Sequence, residues 1–110
     1  MSKSKVFVTK FQSNWEYGAA ASFGDVVFLT EKEHRPEPVP AEFNERVTAG
    51  VEAKLQDYIA GIDYLAFTGS YILNAVAFAI IAKHEGPHKV LKYHPARQEY
   101  ELFIIRGARK

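Results

Sequence analysis

Short apolar runs alternate along this chain with a stretch of helical periodicity, and this alternation limits the folds that it can adopt. Three apolar runs each end in threonine: VFVT at residues 6–9, VFLT at 27–30 and LAFT at 65–68. Between the second and third runs, apolar side chains recur every four residues from Phe43 to Ile59, the spacing of one helix face. A strand–helix–strand sequence favours a right-handed parallel crossover, so the chain is predicted to be an α/β protein.

We predict a small mixed five-stranded sheet with two helices, in the order β-β-α-β-α-β-β. The strands are predicted at residues 5–10, 25–30, 62–68, 88–93 and 99–106, and the helices at 41–60 and 71–84. A five-residue turn separates the last two strands and is typical of a C-terminal β-hairpin. The length of 110 residues predicts one domain, residues 1–110. The place of the first strand stays open, because no helix is evident after it.

Composition excludes several classes of protein. Cysteine is absent, so neither a thiolate nucleophile nor a cysteine-ligated metal is expected. The 14 basic and 13 acidic residues lack the basic excess of a duplex nucleic-acid binder. No apolar run approaches the roughly 20 residues that span a bilayer, and no signal segment is evident. We therefore expect a cytoplasmic protein with no membrane contact and no duplex nucleic acid as partner.

The second predicted helix is apolar on nearly every side. Between residues 71 and 82 the exception is Asn74. A helix that is apolar all round is usually buried all round, which is difficult within a chain this short. We therefore predict a homodimer formed through residues 71–84.

The junction between the third strand and this helix is the main candidate site. Thr68, Gly69 and Ser70 lie where a parallel strand feeds a helix, and ligands of open α/β sheets bind beyond such strand ends. The first N–H groups of a helix have no intrahelical partner and attract anions. Gly69 allows close approach, and Ser70 either contacts a ligand or acts only as the helix N-cap. Asn74, one turn into the helix, completes the predicted site.

If the first three strands run parallel, two other strand ends and two long connections lie at the same edge. Thr9 and Thr30 end the first two strands, and connections of ten residues or more follow each of them. Trp15 is predicted to stack on a base, and Arg35 or His34 to contact a phosphate. The alternative is that the loop aromatics form a small hydrophobic cluster of their own.

Histidine chemistry is the alternative to simple binding. His94, in the hairpin turn beside Arg97, or His34 could act on a phosphodiester, although an exposed turn histidine needs no such role. Residues 84–88 read H-E-x-x-H, but Gly86 and Pro87 break the helix that a zinc site requires. No metal and no cofactor are therefore predicted.

From Leu65 onward the layout resembles the viral ring nucleases, small dimeric α/β proteins of phages and archaeal viruses that degrade cyclic oligoadenylate signals (type III anti-CRISPR). The resemblance rests on Phe67 to Ser70, Asn74 and residues 90–106. In that family a catalytic histidine directly follows the loop glycine, whereas this chain has Ser70. The resemblance therefore implies a nucleotide pocket that binds without cutting.

The function predicted from the sequence is that of a small phage-type accessory protein. It is expected to bind a phosphate-bearing nucleotide without cleavage, as a sponge against host defence. Two alternatives stay open: a phosphodiesterase that uses His94 or His34, and a protein-interaction module that inhibits a host factor.

Overall fold

The computed structural model describes residues 4–10 and 18–106, which form one five-stranded mixed sheet with three α-helices. The elements are β1 (Lys5–Val8), α1 (Gly18–Ala21), β2 (Asp25–Phe28), α2 (Ala41–Lys54), β3 (Tyr64–Phe67), α3 (Tyr71–Ile81), β4 (His88–His94) and β5 (Glu99–Ile105). The predicted α/β class, mixed sheet and C-terminal hairpin are confirmed. The helix α1 was not predicted, because four residues of sequence Gly-Ala-Ala-Ala show no periodicity.

The strands lie in the order β2-β1-β3-β4-β5, so β1 lies inside the sheet between β2 and β3, and β3 is the central strand. β1 to β4 are parallel, and β5 is antiparallel to β4. The chain moves outward in one direction from β1 to β2 and in the other direction from β3 to β4. The winding therefore reverses between β1 and β3, whose carboxyl ends lie side by side.

Right-handed crossovers in opposite directions place helices on opposite faces of the sheet. On the first face, Phe7 and Leu65 pack against α2 and α3, where the buried residues include Val51, Leu73 and Ile81. We call this the α2/α3 face. The opposite face packs against Ala20 of α1 and is built from Val6, Val8, Ala66, Leu91 and Tyr100.

The first predicted helix, residues 41–60, ends earlier than its periodicity suggests. α2 stops at Lys54, a single 3₁₀ turn follows over Leu55–Asp57, and Tyr58 is extended with φ −65° and ψ 133°. The reason is the buried carboxylate of Asp63, which accepts the N–H of Ile59 at 2.8 Å and the N–H of Lys5 at 2.8 Å. These bonds replace a further helical turn and tie β1 to the segment before β3.

The helix α3 is buried on one face only within a single chain. Its buried residues are Leu73, Asn74, Ala77 and Ile81, whereas Tyr71 and Ile72 are 83% and 60% exposed. A single copy of the chain therefore does not bury α3 on every side, contrary to the expectation from its sequence. The homodimer through residues 71–84 stays a prediction. None of the described helices combines the length and the apolar character needed to cross a membrane.

Candidate functional site

The centre of the candidate site is a buried polar cluster at the ends of β1 and β3. Thr9 and Thr68 directly follow these neighbouring strands, and the Thr9 N–H donates to the carbonyl of Ala66 at 3.2 Å. Both threonines are buried, and their hydroxyl oxygens lie 2.9 Å apart. The predicted proximity of these two strand ends follows from the direct pairing of β1 with β3.

The side-chain amide of Asn74 joins this cluster to α3. Its Oδ1 accepts from the Thr9 hydroxyl at 2.7 Å and from the Thr68 N–H at 3.1 Å, and its Nδ2 donates to the Thr68 carbonyl at 2.8 Å. The amide thus satisfies both backbone groups of Thr68 just where the β3 ladder ends. Unsatisfied buried groups would otherwise cost about 1–3 kcal/mol each.

The hydrogen bonds of the cluster have one consistent direction. Because the single Thr9 hydroxyl proton goes to Asn74, the Thr68 hydroxyl must donate to Thr9. The Thr68 oxygen in turn accepts the Ser70 N–H at 3.3 Å. The hydroxyl groups of Thr9 and Thr68 are therefore engaged within the protein, and these two residues hold the junction in shape.

Ser70 occupies the N-cap position of α3 but makes no side-chain capping bond. Its hydroxyl instead bonds the carboxylate of Glu33, which also lies 3.1 Å from the Lys10 ammonium. The hydrogen bonds from Ser70 and Lys10 hold the pKa of Glu33 below its usual value of 4.5. A negative charge of the chain itself therefore lies beside the N-terminus of α3.

A cleft of about 690 Å³ opens beside the cluster, between α3 and the ends of β3 and β4. This volume lies within the range of small-molecule sites. Thr68, Gly69 and Asn74 contribute to one wall. The rest is mainly apolar and aromatic, with one lysine, and includes Phe67, Tyr71, Phe78, Lys92 and Tyr93.

Lys92 is the charged residue of the cleft lining. Glu101 lies directly opposite it on β5. The Glu101 carboxylate is drawn instead to Arg97, at 3.5 Å, and lies 4.0 Å from the ring of His94. Across the described part of the chain, no carboxylate lies within ion-pair distance of Lys92, so its charge is available to an anion in the cleft.

Three predicted site residues of the β2–α2 connection lie outside the cleft: Thr30, His34 and Arg35. Thr30 comes two residues after β2 ends, and its hydroxyl accepts the Lys32 N–H at 2.9 Å in a local turn. The guanidinium of Arg35 lies over the ring of Phe43 at 4.6 Å, and His34 bonds Thr48 at 2.8 Å. His34 and Arg35 line a separate depression of about 510 Å³ that shares no lining residue with the cleft. Trp15 lies outside the described residues.

The two candidate catalytic histidines are not in the cleft lining. Burial lowers the pKa of His34 below its usual value of 6.5, which keeps the ring neutral at pH 7. His94 is the last residue of β4, and it is not near His34 in any contact of the described residues. The structure therefore does not combine the two into one site.

His84 and His88 do not share a helical face, because α3 ends at Ile81 and His88 begins β4. His88 Nε2 donates to the carbonyl of His84 at 3.1 Å, since a carbonyl can only accept. In the neutral ring Nδ1 then accepts from the Tyr58 hydroxyl at 2.7 Å. Both ring nitrogens are used in packing this end of the sheet.

The comparison with known protein families gives a clear result. Residues 2–106 match the family model of the phage Pam3 gp32-like proteins. The chain belongs to this family. This membership confirms the prediction of a phage protein, but the family is not that of the viral ring nucleases, so the resemblance from Leu65 onward does not extend to membership there. No curated protein and no solved structure matches the chain.

Two charged residues of the site were not among the predicted ligand-binding residues. No motif of the sequence singled out Lys92, although its spacing of two from Val90 places both on one face of β4. Glu33 carried no sequence signal, because its contact with Ser70 depends on how the β2–α2 connection folds back over the sheet edge.

Proposed function

We propose that this phage protein binds a phosphorylated, nucleotide-like ligand in the cleft between α3 and β4 and holds it without cleavage. The observation that carries the proposal is the ammonium of Lys92, which has no carboxylate partner among the described residues and lies in a mainly apolar and aromatic cleft. Aromatic rings offer stacking surfaces to a base, and an ammonium group is a good point charge for a phosphate.

The charges around the cleft favour one orientation of such a ligand. The carboxylate of Glu33 at Ser70 repels anions from that side of the α3 N-terminus. Lys92 attracts them on the β4 side. The phosphate is therefore expected near Lys92, and the base against Tyr71 or Phe78 of α3.

Binding without cleavage is supported by the surroundings of the cleft. Neither His34 nor His94 lines it, and the Ser70 hydroxyl is engaged by Glu33. General acid–base catalysis needs a group within hydrogen-bond reach of the reacting atoms. A phage protein that holds a nucleotide in this way would lower the free concentration of a host signal.

The test is thermal shift and calorimetry of the purified protein against mononucleotides, ADP-ribose, and cyclic di- and oligonucleotides. A ligand at 100 times its Kd stabilises the fold by about 2.7 kcal/mol. Lys92→Met is expected to weaken binding at least tenfold. The matched control is Lys89→Met, because Lys89 lies on the same strand but on the opposite face, 4.8 Å from the Tyr64 ring.

Two outcomes would reject the proposal. One is that no compound of the panel shifts the melting temperature. The other is that the bound nucleotide is converted to product and that His94→Ala or His34→Ala abolishes the conversion, which would establish the phosphodiesterase alternative.

A further inference from the structure

The edge strand β5 carries an unusual row of exposed apolar side chains. Leu102, Phe103, Ile104 and Ile105 are 42–46% exposed, although they point alternately to the two faces of the sheet. Antiparallel strands that face solvent normally alternate apolar and polar residues. Here both faces are apolar over four consecutive positions.

The position of β5 makes this row significant. It ends the sheet order, and among the described residues it pairs with β4 alone. Its outer edge therefore presents N–H and C=O groups with no strand beside them in the part of the chain that the structure describes. Soluble monomers protect such edges with lysine, proline or a bulge, and residues 102–105 contain neither lysine nor proline.

We propose that a second copy of this chain occupies the edge, with the two β5 strands antiparallel across a two-fold axis. A partner strand has to be apolar on both faces to match residues 102–105, and β5 itself has this property. A two-fold axis normal to the sheet keeps the corresponding faces of the two protomers on the same side of the joined sheet. Even-numbered residues of one β5 strand therefore lie opposite even-numbered residues of the other, and odd-numbered opposite odd-numbered. With Phe103 on the axis, Leu102 of one protomer lies opposite Ile104 of the other.

The size of the interface determines the affinity that we expect between the two protomers. One edge strand with four apolar residues forms a small interface, close to the lower limit of about 1,000 Å² in total for a specific interface. We therefore expect a reversible dimer with a dissociation constant in the micromolar range. The pairing leaves the cleft at α3 open, so it can be tested without any ligand.

Sedimentation equilibrium across a range of concentrations tests the proposal. The double variant Phe103→Lys and Ile104→Lys should weaken the dimer at least tenfold, because it places two like charges opposite each other at position 103 on one face and a charge opposite Leu102 on the other. Both side chains are nearly half exposed, so the melting temperature should change little. The control is Ala75→Lys on the exposed side of α3, which should leave the dimer unchanged.

A second measurement tests the interface by disulfide cross-linking and does not require a variant that weakens the dimer. The sequence has no cysteine, so Phe103→Cys introduces one thiol per protomer close to the axis. Mild oxidation should give a covalent dimer, while Ala75→Cys should stay monomeric under the same conditions. A wild-type protein that is monomeric at hundreds of micromolar would overturn the proposal. So would a dimer that Ala75→Lys disrupts and the β5 variant does not, which would instead support the interface predicted at residues 71–84.

Discussion

At the scale of single residues, Asn74 shows how a helix can complete a strand. Its amide supplies the acceptor and the donor that the backbone of Thr68 lacks after β3 ends. The same bidentate pattern occurs at Asn44, which bonds the N–H and C=O of Arg35 at 2.9 and 3.0 Å on the surface. The two asparagines differ mainly in burial.

The comparison of these two asparagines gives a prediction. Asn74→Ala leaves the buried N–H and C=O of Thr68 without partners and is expected to lower the free energy of unfolding by about 2–4 kcal/mol. At Asn44→Ala water replaces the lost partner, so the expected loss is below about 1 kcal/mol. Urea unfolding of both variants measures the difference, and equal losses would contradict the role given to Asn74.

A second prediction concerns the ionisation of Tyr58. Burial, with the nearby charge of Asp63, raises the pKa of Tyr58 from 10.0 to about 12. The folded protein therefore binds more protons than the unfolded chain between pH 10 and pH 12. The resulting contribution of Tyr58 to the free energy of unfolding is fully present below pH 10. It is lost as the pH rises toward 12, by about 2–3 kcal/mol in total.

The measurement compares the wild type with Tyr58→Phe in denaturant unfolding from pH 9 to pH 12. At pH 9 the free energy of unfolding of the variant is lower than that of the wild type, because His88 Nδ1 loses its hydrogen-bond donor. It should then lose less stability than the wild type as the pH rises. Parallel curves for the two proteins over this range would show that Tyr58 ionises normally.

At the scale of elements, the sequence patterns predicted the helices and strands well but not their ends. The stripe from Phe43 to Ile59 correctly indicated a helix, but periodicity does not reveal that Asp63 captures the N–H of Ile59. The apolar character of residues 71–82 predicted α3, and Gly86 with Pro87 correctly predicted a break before β4. Local pattern was sufficient wherever no distant side chain competed for the backbone.

Two glycines, one inside α2 and one just before β2, give a prediction at this scale. Gly50 lies inside α2, where an added Cβ meets nothing within 4 Å, so Gly50→Ala should raise the free energy of unfolding by about 0.8–1 kcal/mol. Gly24 precedes β2, and a Cβ there would collide with the backbone carbonyl of Ser4. Gly24→Ala should therefore destabilise the protein. Thermal unfolding tests both, and a Gly24→Ala variant as stable as the wild type would contradict the close approach of Gly24 to Ser4.

At the scale of the whole molecule, the order of the strands could not be predicted from the sequence. Nothing in the sequence near β1 indicates that it lies between β2 and β3, because apolar contacts with residues far along the chain determine its neighbours. That order decides the site. It brings Thr9 beside Thr68, as predicted, whereas Thr30 takes part in a local turn with Lys32 and Arg35 lines another depression.

The central cluster also has a consequence for the protein during its synthesis. Thr9 and Asn74 are 65 residues apart, and Thr9 and Thr68 are 59 apart. A ribosome must therefore release the chain through α3 before these bonds can close, and until then β1 lacks the strand on one of its sides. The wall of the cleft that Thr68 and Asn74 form is thus among the last parts of the β1–β3 region to take shape, and a truncated product that ends before α3 would have no cleft at all.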